Sequence, residues 1–165
     1  MCIELSFQRL SIEKWRDFVS LFGESGACGG CWCMLWRLSR KEFERQKGDT
    51  YKLAMKTIVA AGEVPGILVF HNSEAIGWCA LAPRSRYPAL LRSRILQPVD
   101  EKQCWSIAGL LIKSHLEKKE YQQILLLAAA VYAKSQGAGL WILLYQTLTL
   151  FETVFISTML KVGNL

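Results

Sequence analysis

Apolar and polar residues alternate along "IELSFQRL", residues 3 to 10, with the period of two that a half-buried strand requires. The period then changes. In "IEKWRDFVSLFG" Trp15, Phe18, Val19 and Phe22 fall at helical spacing; Ser11 is placed to cap this helix and Gly23 to stop it. A Gly-rich turn carrying "GGCWCMLWR", residues 29 to 37, comes next. "SRKEFERQKGDTYKLAMKTIVAAG" predicts one helix or two, broken near Gly48 and Asp49.

The clearest hairpin follows. "PGILVF" is a short apolar strand, "HNSE" a turn, and "AIGWCALAPR" a returning strand that Pro83 ends. "SRYPALLRSRILQPVD" reads as a basic loop with a helical turn, and "QCWSIAGLLI" as a further strand. After "KSHLEKKE" a long helix is predicted through "YQQILLLAAAVYAKSQ" to Gly137, and "GLWILLYQTLTLF" returns to strand composition. Strand, helices, hairpin, strand, helix, strand is the order of one α/β domain over residues 1–165 with a mixed sheet. In such sheets an apolar strand running through a polar turn into a helix marks an anion site, because the helix N-terminus offers unpaired N–H groups. That place is "GLLIKSHLEKKEYQQ", residues 109 to 123.

Length and composition agree with a single packed domain. The 165 residues are 52% hydrophobic and 21% charged, so disorder is not expected. The formal charge of +6 is spread out, and no stretch is basic enough for a nucleic-acid arm. Six cysteines in a chain of this length do not make a disulfide framework, and the N-terminus has no signal-peptide core, so reduced thiols and a cytoplasmic location are expected. From Gln136 to Leu160 the only charge is Glu152. Gln146, Glu152 and five Ser and Thr residues interrupt this stretch, which favours buried strands over a membrane span. A contact surface for a homodimer is the alternative use of the apolar C-terminal stretch.

The Cys-Trp cluster has three readings. Cys28, Cys31 and Cys33 supply three thiolates, but no second pair completes a zinc site, and His71 and His115 are isolated in sequence, so no metal is expected. Cys28 and Cys31 form a C-x-x-C pair, outside the strand-to-helix context of redox motifs. Core packing or the wall of a pocket is the third. Trp32 and Trp36, like Cys33 and Arg37, lie four apart and would share a helical face. They would then bound a substrate pocket, with Arg37 or Arg84 meeting an anionic group. Two tryptophans plugging the core beside an exposed arginine is the plainer option.

Taken together, "GGCWCMLWR", "PGILVF", "GWCALAPRSRYPAL", "CWSIAGLLI" and "LLAAAVYAKSQGA" resemble the GNAT superfamily of acyl-CoA-dependent N-acetyltransferases, and within it an uncharacterised bacterial branch. The resemblance covers residues 12 to 139, and the end from 140 to 165 diverges. It implies a mostly antiparallel sheet flanked by helices, with the fourth and fifth strands splayed to form a cleft for acetyl-CoA as co-substrate. Leu110, Leu111 and Ile112 would pair with the pantetheine arm. Glu117, Lys118, Lys119, Glu120, Tyr121 and Gln122 ("EKKEYQ") would face the pyrophosphate, with Lys118 and Glu120 standing in place of glycines. The resemblance also implies direct transfer to a primary amine of a small molecule or peptide. In that scheme a tyrosine beyond the fifth strand, Tyr145, protonates the departing thiolate. No general base is singled out among Glu63, Glu74 and Glu101. The missing glycines favour a second reading, a binding or interaction module without catalysis.

Overall fold

The computed structural model describes residues 5–45, 47–94, 103–116, 118–138 and 142–144. Tyr145, Glu101, Glu117 and most of the apolar stretch from Gln136 to Leu160, expected to serve as a dimer contact, lie outside them.

Strands β1 (Leu5–Arg9), β2 (Gly66–His71), β3 (Glu74–Pro83), β4 (Trp105–Ile112) and β5 (Ile142–Leu144) form one sheet in the order β1-β2-β3-β4-β5. The first four are antiparallel neighbours and β5 is parallel to β4. The expected hairpin turns at Asn72 and Ser73, with Asn72 in the left-handed region at φ 55° that a tight turn demands. Strands β2 and β3 are buried on both faces, which is why they read as apolar runs instead of alternating.

Two layers cover the sheet. On one face Leu68, Phe70, Trp78 and Ala80 meet Phe18 and Phe22 of α1 (Trp15–Phe22) and Tyr51, Met55 and Val59 of α3 (Asp49–Ala60). Short α2 (Arg40–Arg45) precedes α3, so the predicted helical region is two helices broken at Gly48. On the other face Ile67, Val69, Cys79, Leu81 and Ile107 meet Leu125, Leu126, Ala129 and Ala133 of α5 (Lys118–Ser135). The basic loop holds one helical turn, α4 (Pro88–Leu91), with Pro88 in the first turn where its missing N–H costs nothing.

Two features of β4 position the site. Among the described residues its pairing with β5 takes in Trp105↔Ile142, Ser106↔Leu143 and Ile107↔Leu144. Among the described residues, therefore, the outer edge from Ala108 to Ile112 is unpaired. Second, Ala80 pairs with Gly109 but Leu81 with Ile107, so Ala108 is the extra residue of a β-bulge.

The hairpin's start depends on a close approach. A Cβ on Gly66 would run into the Cys79 carbonyl oxygen and stand 2.6 Å from a Trp78 ring carbon. Gly66→Ala is expected to cost about 3 kcal/mol, because neither backbone nor a caged indole can yield. Gly62→Ala, where φ is +83° and nothing lies within 4 Å, should cost about 1 kcal/mol through backbone strain alone. Urea midpoints of the two variants check the ranking.

Candidate functional site

The Cys-Trp loop is shaped by left-handed residues. Gly26 (φ 67°) leaves room for the Trp32 indole, whose Cε2 would stand 2.6 Å from any Cβ there. Trp32 and Cys33 themselves have φ of 43° and 59°. A helix cannot pass through such residues, so the expected helical pairing of Trp32 with Trp36 and of Cys33 with Arg37 does not occur. Trp32 is 1% exposed, stacked on Phe22 at 5.3 Å and 11°, with Lys52 Nζ 5.1 Å from its ring centroid. It is core packing. Cys33 points the other way, toward the sheet. Its Sγ accepts the Trp78 Nε1–H at 3.2 Å and would lie 3.9 Å from a Cβ on Gly109. The cysteine therefore sits directly over the β4 bulge.

Arg37 is the second anchor. Its side chain is 6% exposed, not the exposed arginine of the plainer reading. Its Nη1–H donates to Glu63 Oε1 at 2.6 Å, and its Cζ lies 5.1 Å from the Tyr87 ring centroid. Arg86 Nη1 approaches the other Glu63 oxygen at 3.5 Å. Tyr87 is wholly buried, and burial pushes its ionisation well up, against the pull of the Arg37 charge. Trp36 packs half-buried against the cluster of Ala82, Tyr87 and Leu90. Arg84, expected at a pocket wall, is 4% exposed and donates from Nη2 to the Leu90 carbonyl at 3.2 Å, bracing α4. Of the five predicted pocket residues, then, Cys33, Trp36 and Arg37 stand on one side of the sheet near β4, Trp32 is core, and Arg84 is tied under α4.

At the other end of β4, Leu110 and Ile112 pack toward α5 and Leu111 toward α1. Lys113 N–H donates to the Ile76 carbonyl at 3.1 Å, and Lys113 Nζ is paired with Glu74. The hydrogen bond from Lys113 holds the Glu74 carboxyl below its ordinary range; the Lys113 charge, then those of His115 and His71, add to it. The two histidines that look isolated in sequence thus share one carboxylate neighbourhood. A turn closed by Leu116 N–H to the Lys113 carbonyl leads into α5, which begins at Lys118. The "EKKEYQ" segment is therefore not an open loop from Lys118 on. Lys118 to Gln122 form the first turns of the helix, with Glu120 exposed and Tyr121 packed toward the sheet. Glu120 suits that position, since a carboxylate near a helix N-terminus is favoured by the dipole. Among the described residues no three His, Cys, Asp or Glu side chains gather as a metal site, and no helix is long and apolar enough to cross a membrane.

No protein-family model and no curated protein matches the chain in sequence. Solved structures do match in fold. The aminoglycoside N-acetyltransferase AAC(6')-Iy in complex with CoA has a TM-score of 0.56 at 13% identity, covering 99% of this chain and 88% of its own. A GCN5-related N-acetyltransferase from Ralstonia eutropha JMP134 gives 0.51 at 13% identity, over 98% and 91%. The aminoglycoside 6'-N-acetyltransferase of Acinetobacter baumannii gives 0.52 at 12%, over 97% and 90%. The chain has the α/β fold of these acetyltransferases.

Two measurements check the geometry. Glu63→Ala should cost about 3 kcal/mol, because it strands the buried Arg37 charge. Arg40→Ala, which removes a pair whose arginine is 92% exposed, should cost under about 0.5 kcal/mol in the same urea titration. Cys79 is wholly buried and burial raises its thiol far above the ordinary range, so it has no thiolate near neutral pH. Iodoacetamide on the native protein should modify Cys31, Cys33 and Cys104 and reach Cys79 only after unfolding.

Proposed function

We propose that this chain is a cytoplasmic acyl-CoA-dependent N-acetyltransferase, moving an acetyl group from acetyl-CoA to a primary amine of a small molecule or peptide. The observation that carries the reading is the outer edge of β4. Among the described residues pairing with β5 reaches Ile107, the strand bulges at Ala108, and its course then runs through the Lys113 turn into the N-terminus of α5. An extended amide chain such as pantetheine pairs with a strand edge of this kind as an added strand would. The bulge turns the Ala108 backbone out of the β3 ladder, and N–H groups so placed polarise a thioester carbonyl. Lys113 and the first turn of α5 stand where the phosphates would lie, so lysine charge and helix dipole act in place of glycine-cradled N–H groups. Cys33, Trp36 and Arg37 are then on the acceptor side.

The non-catalytic alternative has one observation in its favour: no glycine lies between Gly109 and Gly137, so backbone cannot close on a pyrophosphate as tightly as in a Gly-rich loop. Titration calorimetry separates the two. Acetyl-CoA should bind with micromolar affinity and dephospho-CoA more weakly. Lys113→Ala should weaken acetyl-CoA binding by roughly tenfold, about 1.4 kcal/mol. A folded protein that leaves millimolar acetyl-CoA unbound would be an acetyltransferase fold without the reaction.

A further inference from the structure

We propose that Arg37 and Tyr87 bind a carboxylate on the acceptor, so that the amine acetylated here belongs to an amino acid or another small amino-carboxylate. The inference deepens the function proposed above and rests on it.

Two buried donors without an acceptor carry the argument. Arg37 engages Glu63 through Nη1 at 2.6 Å, but its Nη2 is buried with no hydrogen-bond partner among the described residues, in a side chain 6% exposed. Tyr87 is 0% exposed, and its hydroxyl has no partner either. The two side chains are neighbours: the guanidinium carbon stands 5.1 Å from the Tyr87 ring centroid, and its charge pulls on the phenol against the effect of burial. A guanidinium N–H can only donate, and a phenol kept protonated by burial donates as well. Native interiors keep few unpaired donors, because each is destabilising. Two in one place mark a site whose acceptor arrives from outside, and the two oxygens of a carboxylate match them. The hydroxyl is the telling part. Phenylalanine would fill the same space and keep a ring beside Arg37, so packing alone gives no reason for tyrosine there.

Charge points the same way. Arg37 and Arg86 both face Glu63, at 2.6 and 3.5 Å, so two guanidinium groups meet one carboxylate and one positive charge is left over. A singly charged carboxylate balances it, whereas a phosphate dianion overshoots. Access lies on the Arg86 side, where that arginine is 59% exposed and Glu63 22%. Inward, Tyr87 forms a cluster with Ala82 and Leu90, and Trp36 and the bulged Ala108 of β4 pack against it. An acid held by Arg37 and Tyr87 therefore lies in the same packed group as the proposed transfer point, and an amine on the same short molecule is delivered to that group.

Paired acceptors test this. Glycine, phenylalanine, β-alanine and γ-aminobutyrate are each compared with their amide, which keeps the amine and removes the charge, and with an aminoalkylphosphonate of matching length. Release of CoA thiol from acetyl-CoA reads turnover, and titration calorimetry of the same compounds reads binding without it. For at least one of the four, the carboxylate should be favoured over both twins by about tenfold or more in each readout. Tyr87→Phe and Arg37→Lys should each abolish that preference, and Arg40→Ala should keep it. Tyr87→Phe should also leave the urea midpoint at or above the parent value, since the hydroxyl it removes has no partner in the fold. A lowered midpoint means that the hydroxyl is bonded inside the protein and overturns the site. Equal use of acid and amide, a preference for the phosphonate, or a preference that survives both variants also overturns it; if acetyl-CoA still binds, the acetyltransferase reading stands. Carboxylates that bind, and lose binding in Tyr87→Phe, on a protein that leaves acetyl-CoA unbound keep the site and remove the transfer. Neither binding nor turnover of any compound in the set overturns the proposal.

Discussion

The indole of Trp78 holds this molecule together. It is wholly buried at the middle of β3, edge-on to Phe18 at 4.9 Å and 70° and to Phe22 at 6.3 Å and 72°, and it closes against Gly66. Burying a side chain of this size contributes about 4–6 kcal/mol. Leaving its N–H unbonded in that interior would cost about 1–3 kcal/mol, and the Cys33 sulfur removes that cost. To bring the sulfur there, Trp32 and Cys33 must take left-handed backbone at about 1–2 kcal/mol each. The anchor outweighs the strain, so helix α1, the start of β2 and the Cys-Trp loop are fixed by one contact set.

That set depends in turn on a bulge. Val69 pairs with Gly77 and Phe70 with Ala75, which leaves Ile76 as an extra residue in β3. Strict alternation from Ala75, which packs toward α1, would send residue 78 to the α5 side. The bulge restores Trp78 to the α1 side, among Phe18, Phe22 and Trp32. The second bulge does the same for chemistry: Ile107 and Leu110 pack toward α5, while Ala108 and Gly109 both face the Cys33 layer. Two small residues in a row on one face of a half-buried strand make room that a regular pleat would fill.

Much of this was legible in the sequence, because local pattern decides it. The first strand, the α1 helix, the Pro65-to-Pro83 hairpin and the long helix through "LLAAAVYAKSQ" follow from periodicity and turn residues, and the break at Gly48 from glycine. What misled was spacing read without backbone. Residues 32 and 36 look helical until the glycines of "GESGACGG" impose left-handed geometry on the chain around them. "EKKEYQ" reads as a loop by analogy, yet its Lys and Glu are good helix formers and Glu120 suits a first turn, so α5 starts early. The pairs Arg37–Glu63 and Lys113–Glu74 could not be read at all. They bridge 26 and 39 positions and exist only because the sheet register and the α3-to-β2 connection bring them together.

The chain's glycines also say where tight geometry is invested. A Gly-rich phosphate loop gains binding from backbone close to the ligand, and this chain has none between Gly109 and Gly137. It places a glycine instead under the Cys33 sulfur, beside the β4 bulge, while the turn into α5 offers Lys113, already partnered by Glu74, and a helix dipole. Dipole and lysine attract an anion without fixing its position, whereas the bulge at Ala108 is a fixed feature of the β3–β4 ladder. In the proposed reaction, selectivity therefore belongs to the acyl end, and the nucleotide end serves for capture.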